Sequence, residues 1–152
     1  MALPIIFEKE VADAIVQRIQ QLKSDTPAQW GTMRVDQMLA HCNVTYEMAY
    51  ENKHPQPNSV MRFILKLFVK PVVVNEAAYK KSSQTAPAFI IKDERNFAIE
   101  QKRLIDYITK TQSLGATYFE GKESNSFGVL NSTEWNNMFY KHLDHHLKQF
   151  GV

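Results

Sequence analysis

The sequence predicts an all-α protein, a four-helix bundle with one additional short helix and two long loops. Four segments repeat apolar residues at steps of three and four, which is the period of a helix with a buried face, and each has recognisable end signals. No segment alternates apolar and polar residues cleanly enough to indicate a strand. The length of 152 residues suits one domain with a sizeable core.

The first two helices are predicted in the N-terminal third of the chain. The first should extend from about Phe7 to Lys23, because apolar residues recur on one face and Pro27 cannot continue a helix. The second should extend from about Val35 to Asn52. It is apolar on nearly all sides, which is typical of a helix buried within a bundle.

A shorter helix is predicted from about Ser59 to Val69, ended by Pro71. Its apolar stripe is narrow, so a flank of the bundle is favoured over a membrane-binding surface or a cover over a pocket. The first long loop follows, from Asn75 to Lys92, polar and without regular structure. A loop of that length often forms the wall or lid of a site.

The next helix is predicted to begin after Asp93, which is a suitable cap, and to reach about Ser113. Gly115 closes it, because glycine readily adopts the left-handed conformation that ends helices. The second long loop then extends through Phe127 to Leu130.

The last helix carries the most informative pattern in the chain. Asn131 should cap it, with Glu134 placed to complete a capping box, and Gly151 should end it. One stripe of this helix is expected to be buried. It contains Trp135, Phe139, His142, Leu143, His146 and Phe150.

Two histidines of that stripe are four residues apart. This spacing places His142 and His146 one turn apart on one side of the helix, as two nitrogen ligands of one metal ion would be. Burying a polar imidazole without a partner costs free energy, which a shared cation would offset. His41 is the third candidate, because a buried second helix can bring it against the last one. Three neutral imidazoles would hold a divalent metal such as zinc, nickel or iron and leave a position open.

Hydrogen-bonded core histidines without a metal are the alternative interpretation, since an i, i+4 histidine pair is a weak motif. The remaining two histidines are weaker candidates. His54 lies in a turn-rich, proline-containing segment and is expected to be solvated. His145 lies at the edge of the buried stripe, as a surface residue or as a neighbour of a ligand.

Three further residues lie near the histidines in the sequence. Gln37 and Gln149 are each within one helical turn of a candidate ligand, and either could orient an imidazole; capping, packing or exposure to solvent is an equal alternative. Cys42, the only cysteine, follows His41 and points about 100° away around the helix. We expect it to be a core residue.

The composition excludes several classes of protein. A net charge of +2 is too small to indicate nucleic-acid binding, and no segment is apolar enough, for long enough, to span a bilayer. A single cysteine excludes an intrachain disulfide and fits a reducing compartment. The N-terminal residues do not have the pattern of a signal peptide. We therefore expect a cytoplasmic protein.

Two segments, WGTMRVDQMLAHC at 30–42 and YKHLDHHLKQFG at 140–151, resemble the DinB/YfiT-like superfamily, and in it an uncharacterised bacterial branch. Proteins of that superfamily are four-helix bundles with a histidine-bound metal at one end. The resemblance implies one DinB-like domain over residues 1–152. It also implies that His41 of the second helix and the pair His142 and His146 of the last are the metal ligands.

The resemblance implies a metal-dependent enzyme, because known activities include thiol-dependent transfer or isomerisation with bacillithiol or mycothiol, and hydrolysis. Such a metal would lower the pKa of bound water for hydrolysis, or bind a thiol as thiolate for transfer. The expected partner is a small-molecule substrate or a low-molecular-weight thiol, and the apolar flanks of a bundle are compatible with a homodimer. No catalytic acid or base is identifiable. The alternative is a non-catalytic bundle that binds a ligand or partner and retains a structural or vestigial metal site.

Overall fold

The computed structural model describes residues 1–152, which are mostly helical. Its α-helices are α1 Lys9–Gln21, α2 Val35–Tyr50, α3 Ser59–Ile64, α4 Lys70–Val74, α5 Phe97–Phe119 and α6 Ser132–Gln149. A π-helical turn joins α3 to α4, so the chain has five helical segments. A small antiparallel hairpin, β1 Lys122–Ser124 and β2 Gly128–Leu130, lies between α5 and α6. The helical class predicted from the sequence is confirmed, with the hairpin as an addition.

The most deeply buried helix is α2. Every residue from 35 to 47 is buried, because α5 and α6 pack against α2 and a 3-10 turn at Pro87–Phe89 also contacts it. On the other side of the core, α1 packs against α5 and α6. The second helix is therefore buried all round, as its apolar sequence predicts. None of the helices combines the length and the apolarity needed to cross a membrane.

Aromatic side chains from α2, α5 and α6 form the centre of the core. The rings of Tyr46 and Phe139 stack with their centroids 4.9 Å apart. Phe119 and Trp135 each pack against Phe139, with centroids 5.4 Å away. All four side chains are almost completely buried. This stack sets the distance between α2 and α6. It lies about one helical turn before His142, the first histidine of α6.

Pro71 does not end the third helical segment, so that prediction was wrong. Proline lacks a backbone N–H, and in an α-helix its ring clashes with the carbonyl four residues earlier. The chain widens into a π turn instead, in which the backbone N–H of Lys70 donates to the carbonyl of Leu65. The helix then continues to Val74. We call α3, the π turn and α4 together segment 59–74.

The helix α5 begins and ends later than the sequence predicts. Its cap is Asn96, whose side-chain oxygen accepts from the backbone N–H three residues further on at 3.0 Å. Asp93 is not the cap, because its carboxylate pairs with Arg95 at 2.7 Å. Gly115 interrupts the helix with a φ of 74°, as predicted for a closing glycine, but one more turn follows it. That turn is retained because it carries Phe119 into the aromatic core.

The second long loop predicted from the sequence contains the β1–β2 hairpin. Each strand has three residues, which is too short for an alternating pattern to be visible in the sequence. Ser124 closes the turn, since its hydroxyl donates to the carbonyl of Gly128 at 2.8 Å and accepts from the N–H of Phe127 at 2.9 Å. The turn is therefore ordered, and not an irregular loop.

The start of α6 matches its prediction. The Asn131 side chain accepts from the N–H of Glu134 at 2.9 Å, and the Glu134 carboxylate accepts from the N–H of Asn131 at 3.0 Å, which is a complete capping box. The predicted buried stripe is buried except at His142, which is partly exposed. The helix ends at Gln149, two residues earlier than predicted.

The C-terminal end of α6 is tied to α1 and to the connection that follows α1. The backbone N–H of Gln29 donates to the carbonyl of Gln149 at 2.7 Å. Arg18 pairs with Asp144 at 2.9 Å and donates to the carbonyl of Val152 at 2.8 Å. These contacts hold α1 and the connection before α2 beside the end of α6.

Replacing Phe139 by alanine tests the role of the aromatic stack. Phe139→Ala should lower the free energy of unfolding by about 3–5 kcal/mol, because it removes a fully buried aromatic ring. Urea unfolding followed by circular dichroism measures this. Ile99→Ala is the control, since Ile99 is exposed and its truncation should change stability by less than about 0.5 kcal/mol. Equal stability of the two variants would contradict the proposed importance of the stack.

Candidate metal centre

Three histidines from two helices meet at one end of the core. His41 comes from α2, and His142 and His146 come from successive turns of α6. One ring nitrogen of each lies within 4.8 Å of the other two, and the group is largely buried. The Nε2 atoms of His41 and His142 are 2.9 Å apart. The three residues that the sequence singles out are therefore brought together by the fold.

The far nitrogens of two of these rings are held by oxygen atoms that can only accept. His41 Nδ1 lies 2.8 Å from the carbonyl oxygen of Phe89, and His146 Nδ1 lies 2.7 Å from Oε1 of Gln149. The Gln149 amide is oriented in turn, because its nitrogen donates to the carbonyl of Trp30 at 2.9 Å. Both imidazoles must therefore carry their proton on Nδ1 when neutral, which leaves the Nε2 lone pairs free.

Thr45 holds the third ring. Its Oγ1 lies 3.1 Å from Nδ1 of His142, and a hydroxyl can donate or accept. Because Nε2 of His41 carries no proton, His142 must donate from Nε2 across the 2.9 Å contact, with Thr45 donating to Nδ1. If His142 binds a metal through Nε2, Thr45 accepts from Nδ1 instead. The Thr45 hydroxyl can therefore hold His142 in either of its neutral tautomers.

The surroundings keep the three imidazoles neutral. Burial lowers the pKa of His41 below its usual value, and lowers that of His142 well below it. Burial also lowers the pKa of His146 to about 3, and the neighbouring imidazole of His41 contributes to the same direction. Neutral imidazole is the form that binds a divalent metal, so protons do not compete for this site near neutral pH.

The donor set fits a transition metal. Three imidazole nitrogens suit zinc, nickel or iron, and an all-nitrogen set with no carboxylate does not suit magnesium or calcium. Cys42 does not join the set. It is buried with its sulfur 3.7 Å from that of Met38, and burial raises the pKa of its thiol. The prediction that Cys42 is a core residue is confirmed.

The three histidines open into a cavity of about 930 Å³. Its walls come from α2, α6, segment 59–74, the β1–β2 turn, the connection between α1 and α2 and the connection between α4 and α5. The lining is rich in large apolar side chains, including Trp30, Met33, Met48, Leu65, Val69, Tyr79, Phe89, Ile91, Phe127 and Met138. The long loop from Asn75 to Lys92 therefore does form a wall of the site.

The cavity wall contains no aspartate or glutamate. Besides the histidines, its only ionisable side chains other than tyrosine are Lys80 and Lys92. The wall is therefore neutral to positive, and no carboxylate is available there as a general base.

His145 also lines the cavity, at the edge of the cluster. Its ring centroid lies 5.0 Å from that of His146. Trp30 and Tyr79 contact it edge-on, with centroids 5.8 Å and 5.7 Å away. His145 is not among the three converging residues, as its position at the edge of the stripe predicts. It is the one histidine of the cavity outside the cluster.

One expectation about an individual residue needs correction, and the alternatives for Gln37 and Gln149 are resolved. His54 is only partly exposed, because its Nε2 lies 2.6 Å from the buried carboxylate of Glu47, and it is not among the three converging histidines. For Gln37, the structure shows the capping alternative and not the one in which it orients His41. Its side chain accepts from the N–H of Arg34 at 3.0 Å, which caps α2. Gln149 is the glutamine that holds a histidine.

Thr45 and the Phe89 carbonyl were not predicted from the sequence. Thr45 lies one helical turn after His41 and was detectable from that spacing. The Phe89 carbonyl belongs to the backbone of a loop, so no residue type marks it.

Gly31 allows the Gln149 amide to reach its position. Its φ is +78°, and a Cβ at this residue would lie 2.8 Å from the Gln149 side-chain nitrogen. A side chain there would be strained and would displace the amide that holds His146. The glycine at position 31 is therefore needed for Gln149 to hold the His146 ring in place.

The fold and the site define a helical protein with three buried histidines that can hold a metal ion. Residues 7–151 match the family described as "Protein of unknown function (DUF1569)", and the chain belongs to that family. No curated protein and no solved structure matches the chain. The family description assigns no activity, so any functional conclusion depends on the site itself.

The lowered histidine pKa values predict acid sensitivity of the metal-free protein. As the pH falls through about 6.5, the unfolded chain takes up a proton at each histidine, whereas folded His146 does so only near pH 3. The unfolded state binds more protons in this window, so the stability present above about pH 6.5 is lost as the pH falls. His146 alone should account for about 2 kcal/mol between pH 6.5 and pH 5.

Urea unfolding of metal-free protein across this pH range measures the effect. His146→Gln is the matched variant, because it removes this titrating group and should make the decrease shallower. An unchanged pH dependence in His146→Gln would show that other groups cause the acid sensitivity.

Proposed function

We propose that the protein is a cytoplasmic metal-dependent enzyme of the DinB/YfiT-like kind, a four-helix bundle in which His41, His142 and His146 bind one zinc, nickel or iron ion. The observation that carries the proposal is the convergence of three neutral imidazoles. Their far nitrogens are already held by oxygen atoms, as in metal sites whose ligands are oriented by outer partners. The packing of α5 and α6 against each other and against both α1 and α2 supports the bundle.

A bound divalent metal would supply Lewis acidity, which lowers the pKa of a thiol or a water molecule. The cavity wall favours a thiol over water as the nucleophile, because it offers no carboxylate to position a water molecule, whereas the sulfur of a thiol would be positioned by the metal itself. Its lysines, Lys80 and Lys92, favour a substrate with anionic groups. The proposed substrates are a low-molecular-weight thiol and a small, partly apolar electrophile.

The side chains of the cavity have distinct roles in this transfer. Gln149, Thr45 and the Phe89 carbonyl hold the three imidazoles in place. His145 accepts the proton of the thiol, since it is the one histidine of the wall outside the cluster. The sulfur then forms a bond to the electrophilic carbon of the second substrate, whose leaving group departs with its electron pair. The apolar walls exclude water, which limits competing hydrolysis.

A non-catalytic protein that binds a small ligand, with a structural or vestigial metal site, is the second candidate. The observation that favours it is the lack of any acidic side chain in the cavity wall. Metal content does not distinguish the two candidates, because both bind a metal. Turnover and thiol binding do.

The ligand assignment predicts one metal ion per chain and a ranking of variants. His41→Ala, His142→Ala and His146→Ala should each weaken zinc or nickel binding by more than the roughly 10–100-fold that loss of an outer partner causes. Gln149→Ala should fall within that 10–100-fold range, since it frees the His146 ring. Metal titration followed by elemental analysis gives the ranking, and circular dichroism checks that each variant is helical.

Two histidines provide matched controls for this titration. His54→Ala should bind metal as tightly as the wild type, although loss of its contact to Glu47 should lower stability. His145→Ala should weaken binding less than any ligand variant. If His41→Ala bound the metal as tightly as the wild type, the site would consist only of His142 and His146 on one helix. The main support for an enzyme would then be lost.

Cobalt substitution tests the thiol reaction with a readout other than turnover. A small thiol added to the cobalt-loaded protein should produce a sulfur-to-cobalt charge-transfer band, and His142→Ala should not show it. A panel of thiols and electrophiles then tests transfer, and a panel of esters and amides tests hydrolysis. Ester or amide cleavage without the thiol band would identify a hydrolase. If neither turnover nor thiol binding were detected, the non-catalytic candidate would be favoured.

A further inference from the structure

The outer side of segment 59–74 is an unpartnered apolar face. Seven of its large apolar side chains are between 41% and 72% exposed, and no residue of the segment is buried. We call these seven the 59–74 face: Val60, Met61, Phe63, Ile64, Leu67, Phe68 and Val72. The expectation that this helix is a flank of the bundle therefore holds only for its inner side.

The π turn keeps the face continuous despite Pro71. In a regular α-helix, the position one turn after Leu67 would be Pro71. The π turn adds one residue to that turn, which brings Val72 into line with Leu67 instead. The apolar residues thus form one stripe from the start of α3 to the end of α4.

The orientation of the segment is fixed by its polar side. Arg62 pairs with Glu123 of the hairpin, and Lys70 pairs with Glu134 of α6 at 2.9 Å. Lys141 of α6 donates to the carbonyl of Val72 at 2.6 Å at the end of the segment. These contacts hold the polar side of the segment against the hairpin and α6, so the 59–74 face must point outward.

The size of the face is that of a protein interface. Seven side chains of this kind and exposure present on the order of 700 Å² of apolar surface, near the roughly 800 Å² that each partner contributes to a standard interface. The largest apolar patch on an ordinary monomer is about 300–600 Å². Isolated exposed apolar residues need no partner, but a continuous face of this area does.

We propose that the 59–74 face pairs with the same face of a second copy of this chain, forming a two-fold symmetric homodimer. A face without charged side chains can meet itself across a two-fold axis without repulsion between like charges. A lipid surface is the less suitable occupant. Helices that bind membranes are rich in free cations for anionic headgroups. Two of the three cations of this segment, Arg62 and Lys70, are paired within the chain, which leaves Lys66 as its one exposed cation.

Pairing through this face would also affect the cavity. Leu65, Val69 and Val73 on the inner side of the segment line it. Burying the outer side of the segment would therefore stiffen one wall of the cavity. This inference does not depend on the proposed metal or reaction.

Analytical ultracentrifugation of the full chain at micromolar concentration tests the proposal. The wild type should sediment with twice the 17.6 kDa mass of the chain. Phe63→Glu/Leu67→Glu should sediment as a monomer with an unchanged helical spectrum, because both positions are exposed in the single chain. Ile5→Glu/Ile99→Glu, at exposed apolar positions outside the face, is the matched control and should remain dimeric.

Three outcomes would overturn the proposal. These are a monomeric wild type at all concentrations, a dimer that persists in Phe63→Glu/Leu67→Glu, and dissociation of the Ile5→Glu/Ile99→Glu control. Wild-type protein should also fail to float with vesicles of anionic phospholipid. Flotation that Phe63→Glu/Leu67→Glu abolishes would assign the face to a membrane surface and not to a second copy.

Discussion

Three imidazoles inside a protein core are stable only if their ring nitrogens have partners, and the parts of the fold around the site meet that requirement. Stranding one buried polar group would cost on the order of 1–3 kcal/mol. The turn at Pro87–Phe89 supplies a carbonyl to His41, and the end of α6 supplies Gln149 to His146. Gln149 is itself oriented by the backbone at Trp30. Segments far apart in the sequence therefore meet at the histidines because each completes a hydrogen bond there.

The aromatic core makes this arrangement geometrically possible. Thr45 and Tyr46 are consecutive residues of α2, so their side chains diverge by about 100° around the helix. Tyr46 stacks on Phe139, while Thr45 reaches Nδ1 of His142. The same stretch of α2 thus packs against α6 through one side chain and holds a histidine of α6 through the next. Loosening the stack would disturb the site even though none of its aromatic rings is a candidate ligand.

The sequence predicts those features of the fold that depend on neighbouring residues. The capping box at Asn131 and the burial of α2 follow from local spacing, and so does the pairing of His142 with His146. Features that depend on tertiary contacts were missed or wrong. Pro71 was expected to end a helix, but contacts with the hairpin and α6 hold the segment in place through a π turn. The carbonyl of Phe89 has no signature in the sequence, because any residue has a carbonyl and only the fold brings this one to His41.

The lack of acidic residues in the cavity wall connects the site to the chemistry it can perform. A carboxylate beside the cluster would hold a water molecule and accept its proton, and it would also raise the pKa of a nearby imidazole. Without one, burial dominates and the three histidines stay neutral. The lysines of the wall give the entering molecule a neutral to positive environment. A thiol with anionic groups suits this environment better than a cation does, because its charge is attracted to the wall and its sulfur is a strong ligand for a metal with open positions.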